Sequence, residues 1–243
     1  MIFKKEFKET YAILEGKKEL HPLFDELKQF VEKEFDIKVF SVFLDTEESR
    51  SARNFLLEKG YKKRLIFNVA SNKEREKMQN AVPYSDDKVS DVIIMRNDEN
   101  KQKIIIDKLY DLNKKYNVSL PENKKEIWVD YFYFFALDYV WLSVQKQKHK
   151  IKKIINNYRN KANIWKLSIM GPGLVVFYEK DKDVKTNLDN GITKEIKDNI
   201  FSIFKENDKL NILEYVYHDG YISFDSKENL DKNYHGSLYL YFR

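Results

Sequence analysis

The chain has 243 residues, no cysteine, and 44 lysines and arginines against 39 aspartates and glutamates, for a formal net charge of +5. The missing thiols exclude disulfide frameworks, thiolate zinc sites and cysteine nucleophiles, and the near balance of opposed charges excludes a dedicated nucleic-acid coat. With 42% hydrophobic and 15% aromatic residues, the sequence can bury real cores and is expected to fold throughout, as one large or two small domains.

Met1 to Glu6 runs straight into charged residues, with no apolar core and small-residue cleavage site, so a cytoplasmic protein is expected. Pro22 suits a first helical turn. Leu23, Phe24, Leu27, Phe30, Val31 and Phe35 then share one stripe, which predicts an amphipathic helix. Ile37 to Leu44 has apolar residues on both parities and reads as a strand covered on two faces. After the cluster Asp45 to Ser49, Ala52 to Lys59 reads as a short helix closed by Gly60, and Arg64 to Val69 as a strand. Residues 71–90 are polar and carry Pro83. Val92 to Met95 is a short strand candidate, and Ile105, Leu109, Leu112 and Tyr116 mark another helix.

Asn117 to Glu126 combines Pro121, asparagines and charges with no hydrophobic period. A division is expected there, giving an N-terminal α/β subdomain over 1–120 and a C-terminal α+β subdomain with antiparallel hairpins over 121–243. Ile127 to Val144 is nearly continuous in apolar and aromatic character, but Asp130 and Asp138 would each cost about 2.5–3.5 kcal/mol at a bilayer centre. It reads as buried core, and no membrane partner is expected. Val144, Ile151, Ile154, Ile155 and Tyr158 continue at helical offsets. Trp165 to Met170 and Leu174 to Glu179 flank Gly171-Pro172-Gly173 as a hairpin, and Ile192, Ile196, Ile200, Ile203 and Phe204 form a helical stripe. Ile212 to Tyr217 and Tyr221 to Phe224 flank Asp219-Gly220 as a second hairpin, and Leu238 to Phe242 reads as a last strand. No period of 20–50 residues repeats, although both halves mix helices with strand pairs. The expected class is α+β, with amphipathic helices on mainly antiparallel sheets.

The sharpest chemical feature is electrostatic. Between Tyr139 and Tyr178 stand Lys146, Lys148, Lys150, Lys152, Lys153, Arg159, Lys161 and Lys166, with no carboxylate among them. Lys148, Lys152 and Arg159 are expected on a helical face opposite the isoleucines, with Lys150 and Lys153 beside them. Such a face can meet consecutive phosphates or an acidic protein surface. Its bland reading is a solvated helix face neutralised by acids from elsewhere in the fold. Lys148, Lys150, Lys152, Lys153, Arg159 and Lys161 are the partner-binding candidates.

Other groupings are weaker. Asp45, Glu47 and Glu48 follow a strand, where carboxylates can be catalytic, but the same residues start helices. His218, Asp219, Asp225, Asp231 and His235 gather the local histidines and acids, yet a long spacing and a turn part the two imidazoles. Glu179 to Lys185 invites comparison with the carboxylates and lysine of metal-dependent nucleases, although strings of this kind arise readily in so charged a chain. No Gly-x-Ser-x-Gly elbow positions a serine. No catalytic residue, metal ligand or cofactor is assigned.

Phe224-Asp225-Ser226-Lys227-Glu228-Asn229, Asn233-Tyr234 and Tyr239-Leu240-Tyr241-Phe242 together resemble the terminal signature of small bacterial proteins of uncharacterised function associated with toxin–immunity loci. The resemblance covers about the last twenty residues and brings no catalytic residues with it. It implies a terminal strand closing an antiparallel sheet and a rigid binding surface without chemistry of its own. The expectation is a non-catalytic, immunity-like protein that neutralises a cognate protein partner, such as a toxin, by surface occlusion. The alternative is a nucleic-acid-binding protein or metal-dependent nuclease using the basic 146–166 region.

Overall fold

The computed structural model describes residues 5–45, 60–83, 93–170, 173–215 and 221–243. Its contacts divide the chain between Phe135 and Ala136. The fold is α+β, and three of the five strand pairings among the described residues are antiparallel.

In the first unit, α1 (Lys5–Leu14) precedes α2 (Pro22–Phe35), whose first turn is capped by His21 Nδ1 accepting from the Leu23 amide at 3.3 Å. Asp36 ends α2 in the left-handed region, φ 50°, and turns the chain into β1 (Val39–Asp45). The next strand, β2 (Lys63–Val69), runs antiparallel to β1 with a bulge at Phe40. From Leu65 to Val69 every residue of β2 is buried, as a strand covered on both faces must be.

Beyond β2 come α3 (Asn72–Lys77), β3 (Gln79–Pro83), β4 (Ile93–Asn97), α4 (Glu99–Tyr116) and β5 (Ile127–Phe132). The hairpin pair β3/β4 stands as a separate two-stranded sheet, while β5 lies parallel to β2 and gives the order β1-β2-β5. The polar stretch after residue 71 therefore holds a helix and a strand that lack a readable apolar period. Residues 117–126 lie inside this unit. Asn117 closes α4 with φ 53°, and a short 3-10 turn at Lys124–Glu126 leads into β5.

Alternation along the strands sorts the side chains. Val42, Leu65, Phe67, Val69, Val129 and Tyr131 join Leu23, Leu27 and Val31 of α2 and Ile105 and Leu109 of α4 in one buried cluster. On the opposite face, α1 is tied down by a polar knot. Thr10 Oγ1 and Ser41 Oγ lie 2.7 Å apart, and Asn68 Nδ2 donates to both, at 3.1 and 2.9 Å. All three residues are buried.

The helix α5 (Phe134–Tyr158) leads into the second unit, which continues through β6 (Ile164–Met170), β7 (Gly173–Tyr178), α6 (Asp181–Asp189), α7 (Ile192–Asn207), β8 (Ile222–Ser226), α8 (Lys227–Tyr234) and α9 (Leu238–Tyr241). The pair β6/β7 is antiparallel as expected, with its turn residues Gly171 and Pro172 outside the described residues. Two expectations fail. The strand β8 pairs in parallel with β7, and Ile212–Tyr215 is a 3-10 turn instead of a hairpin arm. Leu238–Tyr241 is a short helix capped by Ser237, not the strand that the terminal resemblance implied. The C-terminal sheet is thus evenly mixed, with order β6-β7-β8.

The two units are variations on one plan. In each, a helix and a left-handed residue (Asp36, Asn163) precede an antiparallel pair, and a helical crossover brings a third strand parallel to the second. The agreement extends to register. The bulge falls on the second residue of the first strand both times, at Phe40 and Trp165. The amide just beyond the second strand returns to the residue just before the first, Ala70 to Lys38 and Glu179 to Asn163. Counting from Leu65 and Leu174, α3 and α6 begin at equivalent positions, and counting from their parallel partners Val129 and Ile222, so do α5 and α8. The hairpin β3/β4 has no counterpart among the described residues of the second unit.

Replacing Asn68 by Ala removes the donor that both hydroxyls share while leaving them bonded to each other. The expected loss is about 2 kcal/mol of unfolding free energy, measurable by denaturant titration.

Candidate functional site

The cationic region maps to the second half of α5 and the turn that follows. Val144, Ile151 and Ile155 are buried along one side of the helix, while Lys146, Lys148, Lys150, Lys152 and Lys153 are all exposed. Helical spacing arranges the exposed side in rows. Lys146, Lys150 and Lys153 form one flank and Lys148 and Lys152 lie toward the other, with Gln145, His149 and Asn156, also exposed, along the middle. The lysines therefore flank a middle row of other polar residues on the solvent face; they do not sit squarely opposite the isoleucines.

No ion pair joins any of these five lysines to a described residue. Other long helices of the molecule behave differently. Lys28–Glu32 in α2, Lys114–Asp111 in α4 and Lys194–Asp198 in α7 each place an ion pair within one turn. In α5 the neighbours at that spacing, Lys146/Lys150, Lys148/Lys152 and Lys150/Lys153, have like charge, and together they destabilise the helix by about 1 kcal/mol.

The remaining two candidates are engaged. The Arg159 guanidinium donates to the Trp165 carbonyl at 2.9 Å and to that of Ile164 at 3.5 Å, bracing the turn into β6. Lys161 stands 3.9 Å from the Glu195 carboxylate and over the Tyr158 ring. Four of the six predicted residues, Lys148, Lys150, Lys152 and Lys153, thus share one open helix surface. Arg159 and Lys161 belong to the junction beneath it.

The other groupings do not converge. Glu47, Glu48, His218 and Asp219 lie outside the described residues. Asp225 accepts from Asn229 Nδ2 at 3.0 and 2.9 Å, Asp231 pairs with Lys227 at 3.4 Å, and His235 is an exposed left-handed cap at φ 52°. Asp183 is buried as a helix cap, accepting from the Lys180 amide at 3.1 Å, and Asp181 accepts from the Ser226 hydroxyl. These bonds engage two of the three carboxylates in the Glu179 to Lys185 string compared with nucleases. Among the described residues, no group of three or more His, Asp or Glu could hold a metal ion. Nor is any described helix long and apolar enough to cross a membrane, the 127–144 segment being split between β5 and the start of α5.

A charge cluster on the first unit was not singled out from sequence. On the parity of β2 and β5 that faces away from the main buried cluster, Arg64 Nη1 lies 3.8 Å from Asp130 Oδ2 and its guanidinium covers the Phe132 ring, while Arg75 of α3 stacks on Tyr133 with 4.6 Å to the ring centroid. Burial pushes the Asp130 carboxyl above the usual carboxylate range, against the opposing pull of Arg64 and Arg75. The matching parity of Arg64 and Asp130 is readable in the sequence. Their adjacency is not, because it needs the parallel β2/β5 pairing.

No protein family, curated protein or solved structure matches the chain.

A carboxyl titrating higher in the folded than in the unfolded state binds more protons when folded, so its contribution is favourable in acid and is lost as pH rises through the raised value. Asp130→Asn should therefore gain stability relative to the parent protein on going from pH 3 to pH 7. Denaturant midpoints across that range provide the check.

Proposed function

We propose that the protein is a non-catalytic, cytoplasmic binding protein whose working surface is the solvent face of α5, used to engage and mask an anionic macromolecule. One observation carries this reading: five lysines are exposed on one helix side without an ion-pair partner among the described residues.

The fold supplies an internal comparison. The helix α2 holds the same place before β1 that α5 holds before β6, and it has Asp25, Glu26, Glu32 and Glu34 against Lys28 and Lys33. In α5 the five lysines face a single carboxylate, Asp138. The architecture is therefore compatible with a mixed, slightly acidic helix at this position. A uniformly cationic one lowers helix stability, which is the pattern of a surface selected for contact.

In its immunity-like form this surface would occlude the acidic face of a cognate protein. The lysine field would raise the encounter rate, and salt would slow it. The polynucleotide form uses the same charges on phosphates and is favoured by Gln145, His149 and Asn156 between the lysine rows, whose polar groups suit base edges as well as water.

The test separates a working surface from a merely solvated one. Lys150→Glu sets a carboxylate within one turn of Lys146 and Lys153, so the variant should be more stable by about 1 kcal/mol while retention on an immobilised polyanion falls. Raised stability with unchanged retention would overturn the assignment of α5.

A further inference from the structure

The composition and layout of the α5 face distinguish between the two kinds of anionic partner. A protein interface of ordinary affinity is anchored by aromatic residues and arginine, and lysine is depleted from its core because an ammonium is strongly hydrated and costly to strip. The exposed side of α5 between Gln145 and Asn157 holds only lysine, histidine, glutamine and asparagine. Lysine does serve phosphates as a point charge that need not be dehydrated. The layout fits a groove. Two cationic flanks run along the helix, Lys146/Lys150/Lys153 and Lys148/Lys152, with Gln145, His149 and Asn156 between them. The B-form major groove is about 12 Å wide and admits one α-helix, so flanking cations meet the phosphates of the two strands while the middle row faces the base edges. Side-chain amides there can pair in bidentate fashion with adenine.

Resting on the assignment of α5 as the working surface, we propose that this helix enters the major groove of duplex DNA, with Lys146, Lys148, Lys150, Lys152 and Lys153 on the phosphates and Gln145, His149 and Asn156 directed to the base edges. Double-stranded RNA should be a poor substitute, because the A-form major groove is too narrow for side chains to read.

The experiment is fluorescence anisotropy of the full chain with a mixed-sequence 20-base-pair DNA, the same sequence as double-stranded RNA, and labelled polyglutamate as an acidic-protein mimic. Five phosphate contacts give an expected slope of log K against log salt of about −4.5 on DNA. Lys148→Ala and Lys153→Ala should each bring the slope about one unit nearer zero. The pair Gln145→Ala and Asn156→Ala should leave the slope unchanged while flattening preference within a randomised duplex library. Binding to double-stranded RNA as strong as to DNA, or a DNA slope that the lysine variants do not alter, would overturn the groove assignment. Lysine-dependent binding of polyglutamate without binding of duplex would also overturn it, leaving α5 as a docking surface for an acidic protein. No retention of any of the three polyanions would remove both readings together.

Discussion

Each three-stranded sheet has a middle strand buried on both faces, Leu65–Val69 in one unit and Leu174–Tyr178 in the other, and the rest of each unit serves to cover it. A strand flanked by partners on both edges has its backbone groups paired, so the remaining demand is apolar cover above and below. In the first unit α2 and α4 supply one cover and α1 contributes to the other, where Thr10, Ser41 and Asn68 convert a polar intrusion into a closed set of hydrogen bonds. In the second, a satellite cluster of Val175, Phe177 and Leu230 is closed by Trp165, Tyr234, Leu238, Tyr241 and Phe242. The apolar side of α5 is committed to burial. Its outer side is left to chemistry.

The repeated plan makes each unit a control for the other. Equivalent positions that differ in character mark what the scaffold tolerates: Arg64 against Gly173, Asp130 against Ser223, Asn68 against Phe177. Neither the charge cluster of the first unit nor the lysine field of the second is a requirement of the shared topology. The two differ in kind. Arg64 and Asp130 are largely withdrawn from water, where an ion pair barely offsets its desolvation, whereas the lysines of α5 keep their hydration and act at a distance.

Much of the architecture was legible because burial imposes a period. The stripe from Leu23 to Phe35, the two-faced strand after Ile37 and the isoleucines of α7 all follow from which side chains must leave water. The region 72–83 was missed since α3 has no buried residue and β3 pairs away from the main sheet. The C-terminus misled for a different reason. Tyr239, Leu240, Tyr241 and Phe242 have strand-like composition, but Ser237 caps a helical turn, and Phe177 stacks edge-on against Tyr241 across the cluster. The repeat itself escaped a sequence reading because strand links of unlike length and the inserted β3/β4 pair shift the spacing between equivalent elements. As for the site, exposure of Lys148, Lys150, Lys152 and Lys153 could be inferred from helix phase. The engagement of Arg159 with the Trp165 carbonyl could not, because it depends on how the chain turns after Tyr158.

The unlike links also bear on assembly. Two residues separate β6 from β7, whereas seventeen separate β1 from β2. Ring-closure entropy rises by about 0.6 kcal/mol with each doubling of the segment to be closed, which makes the first antiparallel pairing of the N-terminal unit about 2 kcal/mol more demanding than its twin. The half of the chain that a ribosome releases last is therefore the half whose opening contact is cheapest to form.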